Sequence, residues 1–198
     1  MPQKKTFHVF KEAMRLNSYA EYPIFPSDVD PQTHLSRNAD PQPFYLICDG
    51  DVVFTLLSGS GTLLFQSQSI KSYPMGPGDT VYVPAGTPHR YLPATESVVI
   101  RAKAQFPRLE GVAWYCEKCS GEVHRHVWSA HEKFCQEGYL ESCEAFNGSQ
   151  ALRTCPQCGT VHPAVDVSWN RWQSLAEELR QEGVLPGPPA AAPGDLGL

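Results

Sequence analysis

Two pairs of cysteines at Cys-x2-Cys spacing carry the clearest chemistry in this 198-residue sequence: Cys116-Glu117-Lys118-Cys119 and Cys155-Pro156-Gln157-Cys158. Each pair sets two thiolates on one tight turn, and two such turns complete a tetrahedron around a metal ion. Pro156 and the following Gly159 suit the knuckle in which backbone amides turn toward the sulfurs. Two other readings compete. The residues could be ordinary buried cysteines, or one pair could be a redox Cys-x-x-Cys, which normally comes singly and opens a helix after a strand. Four thiolates leave no open coordination position, so the expected role is structural. Zn(II) is the first expectation and iron in a rubredoxin-like site the second. The sequence holds 7 cysteines in all. Of the remaining three, Cys48 reads as a small core residue in a strand, and Cys135 and Cys143 have no assigned role. With the sulfur tetrahedron full, His124, His126, His131 and His162 read as surface or core residues.

A second pattern centres on His89. The run Gly78-Asp79-Thr80-Val81-Tyr82-Val83-Pro84-Ala85-Gly86-Thr87-Pro88-His89 reads as a Gly-Asp turn, a strand, a Pro-Ala-Gly reversal, and a histidine at the start of the next strand. It resembles the second conserved motif of the cupin superfamily, G-x5-P-x-G-x2-H. That resemblance implies a mostly β fold, the double-stranded β-helix or jelly-roll barrel, with His89 pointing inward as a metal ligand. When Gly111-Val112-Ala113-Trp114-Tyr115-Cys116, His124-Arg125 and Arg153-Thr154-Cys155-Pro156-Gln157-Cys158-Gly159-Thr160-Val161-His162-Pro163 are included, the chain is similar to bacterial 3-hydroxyanthranilate 3,4-dioxygenase. The likeness runs from about residue 7 to residue 165. It implies a cupin with a rubredoxin-like four-cysteine site, usually a homodimer, that opens its substrate's ring with dioxygen. The iron there is Fe(II) held by two histidines and a glutamate, with two arginines and a further glutamate serving the substrate.

The sequence departs from that pattern at the iron. Anchored on Gly50, the first cupin motif puts its histidine position on Arg37 and its glutamate position on Pro43, neither of which binds iron. A second register keeps the chemistry: His34 and Asp40 have the same six-residue spacing. With His89 they would make a two-histidine, one-carboxylate face that leaves room for substrate and dioxygen. Three extra residues must then be absorbed before Gly50, by a bulge or loop around Asp40-Pro41-Gln42-Pro43. In the competing reading His34 and Asp40 are solvated loop residues. On the substrate side, Pro93 stands where the family has an arginine, and Arg101 stands where it has a glutamate. Arg37, Arg90 and Arg101 are the cations available to an anionic ligand, and exchanging a glutamate for Arg101 inverts the local field.

Three functions fit these residues. The first is a diverged metal-dependent oxidoreductase acting on a small aromatic or amino-acid-derived carboxylic acid, with Fe(II) on His34, Asp40 and His89. The second is a cupin that has lost that iron and keeps its barrel as a small-molecule-binding module. The third is an iron-independent enzyme with His89 as general acid or base.

The elements that must position these groups follow from the rest of the chain. Hydrophobic residues make up 41% and charged residues 19% of the sequence, enough apolar material for a sizeable core. A net charge of -5 argues against a general nucleic-acid binder, and no apolar run reaches the ~20 residues of a membrane span. The N-terminal run Met1-Pro2-Gln3-Lys4-Lys5 has no apolar leader core, so the chain is expected in the cytoplasm. Residues 7 to 17 read as a short helix with Phe7, Phe10, Met14 and Lys11 on one face. A Pro-rich connector from Pro23 to Pro43 should be extended or turning. From Phe44, short strands alternate with turns: 44–48, 52–57, 62–66, 80–83 and 97–104. Beyond Pro107 the expectation is a metal-tied, loop-rich arm. A last helix, capped by Ser168, would hold Trp169, Trp172, Leu175 and Leu179, with Glu177 and Glu178 facing water. The expected division is a barrel with its N-terminal helix over 1–108, a four-cysteine arm over 109–165, the helix over 166–182, and a disordered tail over 183–198.

Overall fold

The computed structural model describes residues 6–27, 29–66, 69–103 and 109–187. Most of the expected tail, residues 188–198, the N-terminal run 1–5 and the barrel–arm junction at 104–108 lie outside them.

Strand propensity and Gly/Pro punctuation build eleven strands, β1 (Tyr22–Pro23), β2 (Gln32–Asn38), β3 (Tyr45–Cys48), β4 (Val52–Ser58), β5 (Gly61–Phe65), β6 (Ser72–Met75), β7 (Thr80–Val83), β8 (His89–Pro93), β9 (Ser97–Lys103), β10 (Leu109–Tyr115) and β11 (Glu122–Ser129). Two antiparallel sheets result, in the orders β1-β2-β9-β4-β7 and β11-β10-β3-β8-β5-β6. From β2 to β10 the chain changes sheet at every step except the β5–β6 hairpin, as in a jelly-roll: β4 pairs with β7 and β9, while the intervening β5 pairs with β6 and β8. The fold is the mostly β, cupin-type barrel that the His89 motif implied.

Side-chain alternation decides what fills the barrel. On β4 and β9, Val52, Phe54, Leu56 and Val99 turn inward; with Leu63, Phe65, Met75, Val83 and Tyr91 they form its apolar core. The outer face of β2 and β9 is covered by helix α1 (Val9–Ala13), where Ala13 packs with Leu35 and Val98. This helix is shorter than expected and turned over. Phe10 and Met14 are exposed while Phe7, Val9 and Leu16 pack, because the covering face needed small Ala13 against the sheet.

Two expectations change here. The Pro-rich connector contains β2, a full strand between Pro31 and Pro41, because its seven residues keep all their amide donors. The region after 109 is no separate arm: β10 and β11 extend the six-stranded sheet through β3, so the expected boundary at 108/109 is crossed by strand pairing.

Helix α2 (Cys135–Gly148), in the region expected to be loop-rich, puts Cys135, Tyr139, Ser142, Cys143 and Phe146 on one buried stripe. That stripe joins Tyr19, Phe44, Trp114, Trp128 and Trp172 in an aromatic core. Gly138 lets the helix approach Trp128 closely: a Cβ there would stand 2.2 Å from the indole ring. A short helix α3 (Gln150–Arg153) leads to the second cysteine turn. The last helix, α4 (Trp172–Gln181), buries Trp172, Leu175 and Leu179 as expected, together with Ala176, but its cap is Arg171 rather than Ser168, which leaves Trp169 ahead of the helix. Ser168 instead turns its hydroxyl to the carboxylate of Asp166.

Candidate functional site

Two chemical centres stand out. The first is the four-cysteine cluster. The β10–β11 turn carries Cys116 and Cys119, with Ser120 N donating to Cys116 O at 2.7 Å. The turn after α3 carries Cys155 and Cys158, with Gly159 N donating to Cys155 O at 2.9 Å. Ser120 and Gly159 hold the left-handed φ values (60° and 71°) that these knuckles need. All four sulfurs lie within 4.8 Å of one another, with Cys116–Cys158 at 3.5 Å and Cys119–Cys155 at 3.6 Å. Those separations are far beyond the ~2.05 Å of a disulfide. They fit the edge of a tetrahedron with metal–sulfur bonds of ~2.3 Å, which works out at about 3.8 Å. The Thr160 hydroxyl, 3.2 Å from Cys158 Sγ, and the Thr160 backbone hold that thiol down to about 6, so it is a thiolate at neutral pH. The geometry and donor set can hold a metal ion.

The second centre is the barrel interior around His89. The β8 alternation points His89 and Tyr91 inward, and His89 is 1% exposed. Its Nδ1 lies 3.0 Å from Thr87 O, which assigns the proton to Nδ1 and leaves Nε2 as a bare acceptor without a partner. Burial first, then the Arg101 guanidinium, push its pKa down to about 3, so the imidazole is neutral. So weak a base is a poor proton acceptor at neutral pH.

The neighbours of His89 are cations. Arg101 and Lys103 are two residues apart on β9 and so share its inner face, each 2% exposed. Arg101 donates to Glu21 and, at 3.1 Å, to Tyr139 Oη; Lys103 donates to Glu110. Burial works against the Lys103 ammonium, but Glu110 prevails and holds its pKa above the ordinary lysine value. Glu21 arrives from the segment before β1, where it and Tyr19 hold φ values of 52° and 55°. Left-handed backbone at two non-glycine residues costs about 1–3 kcal/mol each and persists where the surroundings over-determine it. Here the Glu21 carboxylate is bound by Arg101 and its carbonyl accepts from Gln136 Nε2 at 2.8 Å.

The other expected site residues scatter. His34 faces inward beside Arg101 on the β2–β9 ladder, with a buried, unpartnered Nδ1 and a pKa well below the ordinary value through burial and the Lys103 and Arg101 charges. Asp40 lies beyond the far end of β2, its amide accepted by Ser18 Oγ at 3.1 Å. At roughly 3.3 Å per strand residue, His34 and Asn38 are already about 13 Å apart, so Asp40 is further still. Among the described residues, only the four cysteines bring three or more ligand-type side chains together; the ligand face of His34, Asp40 and His89 is not assembled. Arg37 and Arg90 have the outward parity of their strands. Arg37 pairs with Glu96, and Arg90 donates to Gln42 O at 2.6 Å and lies over the Tyr45 ring. Of the three expected substrate arginines, Arg101 alone faces the interior.

The barrel therefore does not fit Fe(II). His89 offers one lone pair, but the buried carboxylates nearby, Glu21 and Glu110, are each bound to a cation and not free to complete a ligand set. Gln42, next to the expected glutamate position at Pro43, spends its amide on the barrel backbone, donating to Phe44 O at 2.9 Å and accepting from Tyr91 N at 3.3 Å. Sequence reading missed Lys103, Glu110, Glu21 and Tyr139. The one local signal was Arg101-x-Lys103 inside an apolar run, which the strand period puts on a single face.

No family model matches the chain. It is 32% identical to a 3-hydroxyanthranilate 3,4-dioxygenase of Shewanella woodyi over 116 residues, 53% of this chain and 56% of the relative. It is 36% identical to the enzyme of that name from Brucella anthropi over 101 residues, 46% of this chain and 50% of the relative. The matched region thus spans about half the length of these curated relatives. Among solved structures, a cupin-2 domain protein from Shewanella frigidimarina aligns with a TM-score of 0.44 at 18% identity, covering 52% of this chain and 98% of that one. Over about half of its length the chain is thus similar to 3-hydroxyanthranilate 3,4-dioxygenases.

Proposed function

We propose that this protein is a cupin of the 3-hydroxyanthranilate dioxygenase type that has given up iron-dependent ring opening and keeps its barrel as a binding pocket for a small amino-acid-derived carboxylic acid. One observation carries the reading: the buried charges that bear on His89 are the cations Arg101 and Lys103, and the buried carboxylates Glu21 and Glu110 are bound to them. The four cysteines hold Zn(II) or iron in a structural role, tying the β10–β11 turn to the turn after α3. When bound, that metal supplies cross-linking and no open position for chemistry. The protein acts in the cytoplasm as a homodimer, as the resemblance implies.

Metal analysis of the purified protein tests this. One equivalent per chain is expected, lost in Cys116→Ser or Cys155→Ser and unchanged in His89→Ala, with no ring cleavage of 3-hydroxyanthranilate on adding Fe(II). A second equivalent that disappears in His89→Ala would overturn the proposal.

A further inference from the structure

The edge strand of the six-stranded sheet carries two histidines that neither the cysteine cluster nor the barrel uses. On β11, His124 stands opposite Trp114 and His126 opposite Val112, so both side chains rise from the sheet face that α2 covers. Two residues apart on one strand, they are rooted about 6.6 Å from each other. Each ring lies against an aromatic side chain. His124 is stacked 6.0 Å from Trp114 and 6.3 Å from Phe146, at 14° and 19°, and His126 sits 6.2 Å from Trp128. This packing restricts both rings, yet both stay partly exposed at the rim of a core in which Trp114 and Trp128 are buried.

Among the described residues, no group hydrogen-bonds to either imidazole, so their nitrogen lone pairs are uncommitted. Burial first, and then His126, lower the pKa of His124, while the Glu122 carboxylate opposes them. The two rings are thus close enough to feel each other, and the only other charge acting on His124 is an anion. Glu122 is itself paired with Arg125, whose side chain stands on the other face of the sheet. Two imidazoles on one rigid strand are a ready-made pair of nitrogen ligands. Imidazole suits Zn(II), Ni(II) and Cu(II), with Cu(II) bound most tightly. No third ligand-type side chain joins the pair among the described residues, so water completes the coordination sphere.

We propose that His124 and His126 chelate one late first-row divalent ion, Ni(II), Zn(II) or Cu(II), at the β11 edge, separately from the four cysteines and from His89. With two protein ligands the affinity is micromolar, so the ion leaves on dialysis and the tightly held equivalent per chain is still that of the cysteines. The site does not depend on what the barrel holds.

Calorimetry of the full chain, dialysed with its cysteine site filled with Zn(II), tests this with Ni(II) as the probe. One site per chain should fill at micromolar concentration. His124→Gln and His126→Gln should each weaken it at least fivefold, and His8→Gln, at an exposed histidine before α1, should leave it unchanged. A measurement on the wild type keeps the test open if either stacked-ring variant fails to fold. On titration with Zn(II), NMR of the seven histidine rings should show His124 and His126 shifting together while the other five stay in place. No Ni(II) binding at micromolar concentration, a folded His124→Gln or His126→Gln within fivefold of wild type, or Zn(II) shifts that leave out either ring would overturn the proposal. These failures are distinct from failure of the iron-free barrel, which would show as a tightly held second equivalent lost in His89→Ala.

Discussion

Glu21→Gln is the most informative single change, because it keeps the side chain's shape and removes the charge that stabilises Arg101. Arg101 and Glu21 side chains are each 3% exposed, so water cannot take over. What would remain for the guanidinium is a hydrogen bond to Tyr139 Oη at 3.1 Å, with Nε already lacking a partner. Breaking a buried pair from one side costs about 3–5 kcal/mol, mostly the penalty of the stranded charge. For a chain of this size each kcal/mol lowers Tm by roughly 2–4 °C, so the loss should be about 6–20 °C. Urea titration and thermal melts followed by circular dichroism would read both quantities. The paired control, Glu21→Leu with Arg101→Met, removes both charges and should lie near wild type or above it. A loss under about 1 kcal/mol in Glu21→Gln, or a paired variant as unstable as the single one, would refute the premise that these cations are desolvated. The electrostatic argument against Fe(II) beside His89 would fall with it.

Acid should weaken the fold through the barrel histidines. The unfolded chain takes up a proton at the ordinary histidine pKa of about 6.5, but folded His89 not until about 3, so its contribution is intact above pH 6.5 and declines as pH falls toward 3. Between pH 7 and 5.5 that amounts to about 1 kcal/mol, with His34 adding in the same direction, and His89→Gln should flatten the slope of urea midpoint against pH. Gly138→Ala, which would gain about 1 kcal/mol in an open helix, should here lose about 1–3 kcal/mol in urea unfolding, since its Cβ would enter the Trp128 ring. Arg37→Ala should change stability by less than about 1 kcal/mol in urea unfolding, because its partner Glu96 is half in solvent.

What could be read along the chain was whatever local spacing determines. The Cys-x2-Cys pairs announced a thiolate site because a knuckle is built within a few residues, and the structure brings the four sulfurs within bonding range of one ion. The Gly78–His89 run announced an inward histidine for the same reason, since a turn, a strand and a reversal set its parity. The period of Cys135, Tyr139, Cys143 and Phe146 is helical, but two of the four are cysteines, weak apolar markers, so the stripe of α2 does not stand out in the sequence alone.

The identity of the barrel's contents, by contrast, was a tertiary decision. His34 and Asp40 have a ligand-like spacing, but a continuous strand holds them apart instead of folding them together. Arg37, Arg90 and Arg101 are equivalent as letters, and strand parity alone sends one inward and two outward. Glu21 meets Arg101 eighty residues away, and Tyr139 closes on the same guanidinium from a helix in the region expected to be loop-rich. Sequence determined the fold and the cysteine site, where few residues act within one turn. Only the packed structure decided that Arg101 and Lys103 lie buried against Glu21 and Glu110, because those pairs join segments with no spacing in common.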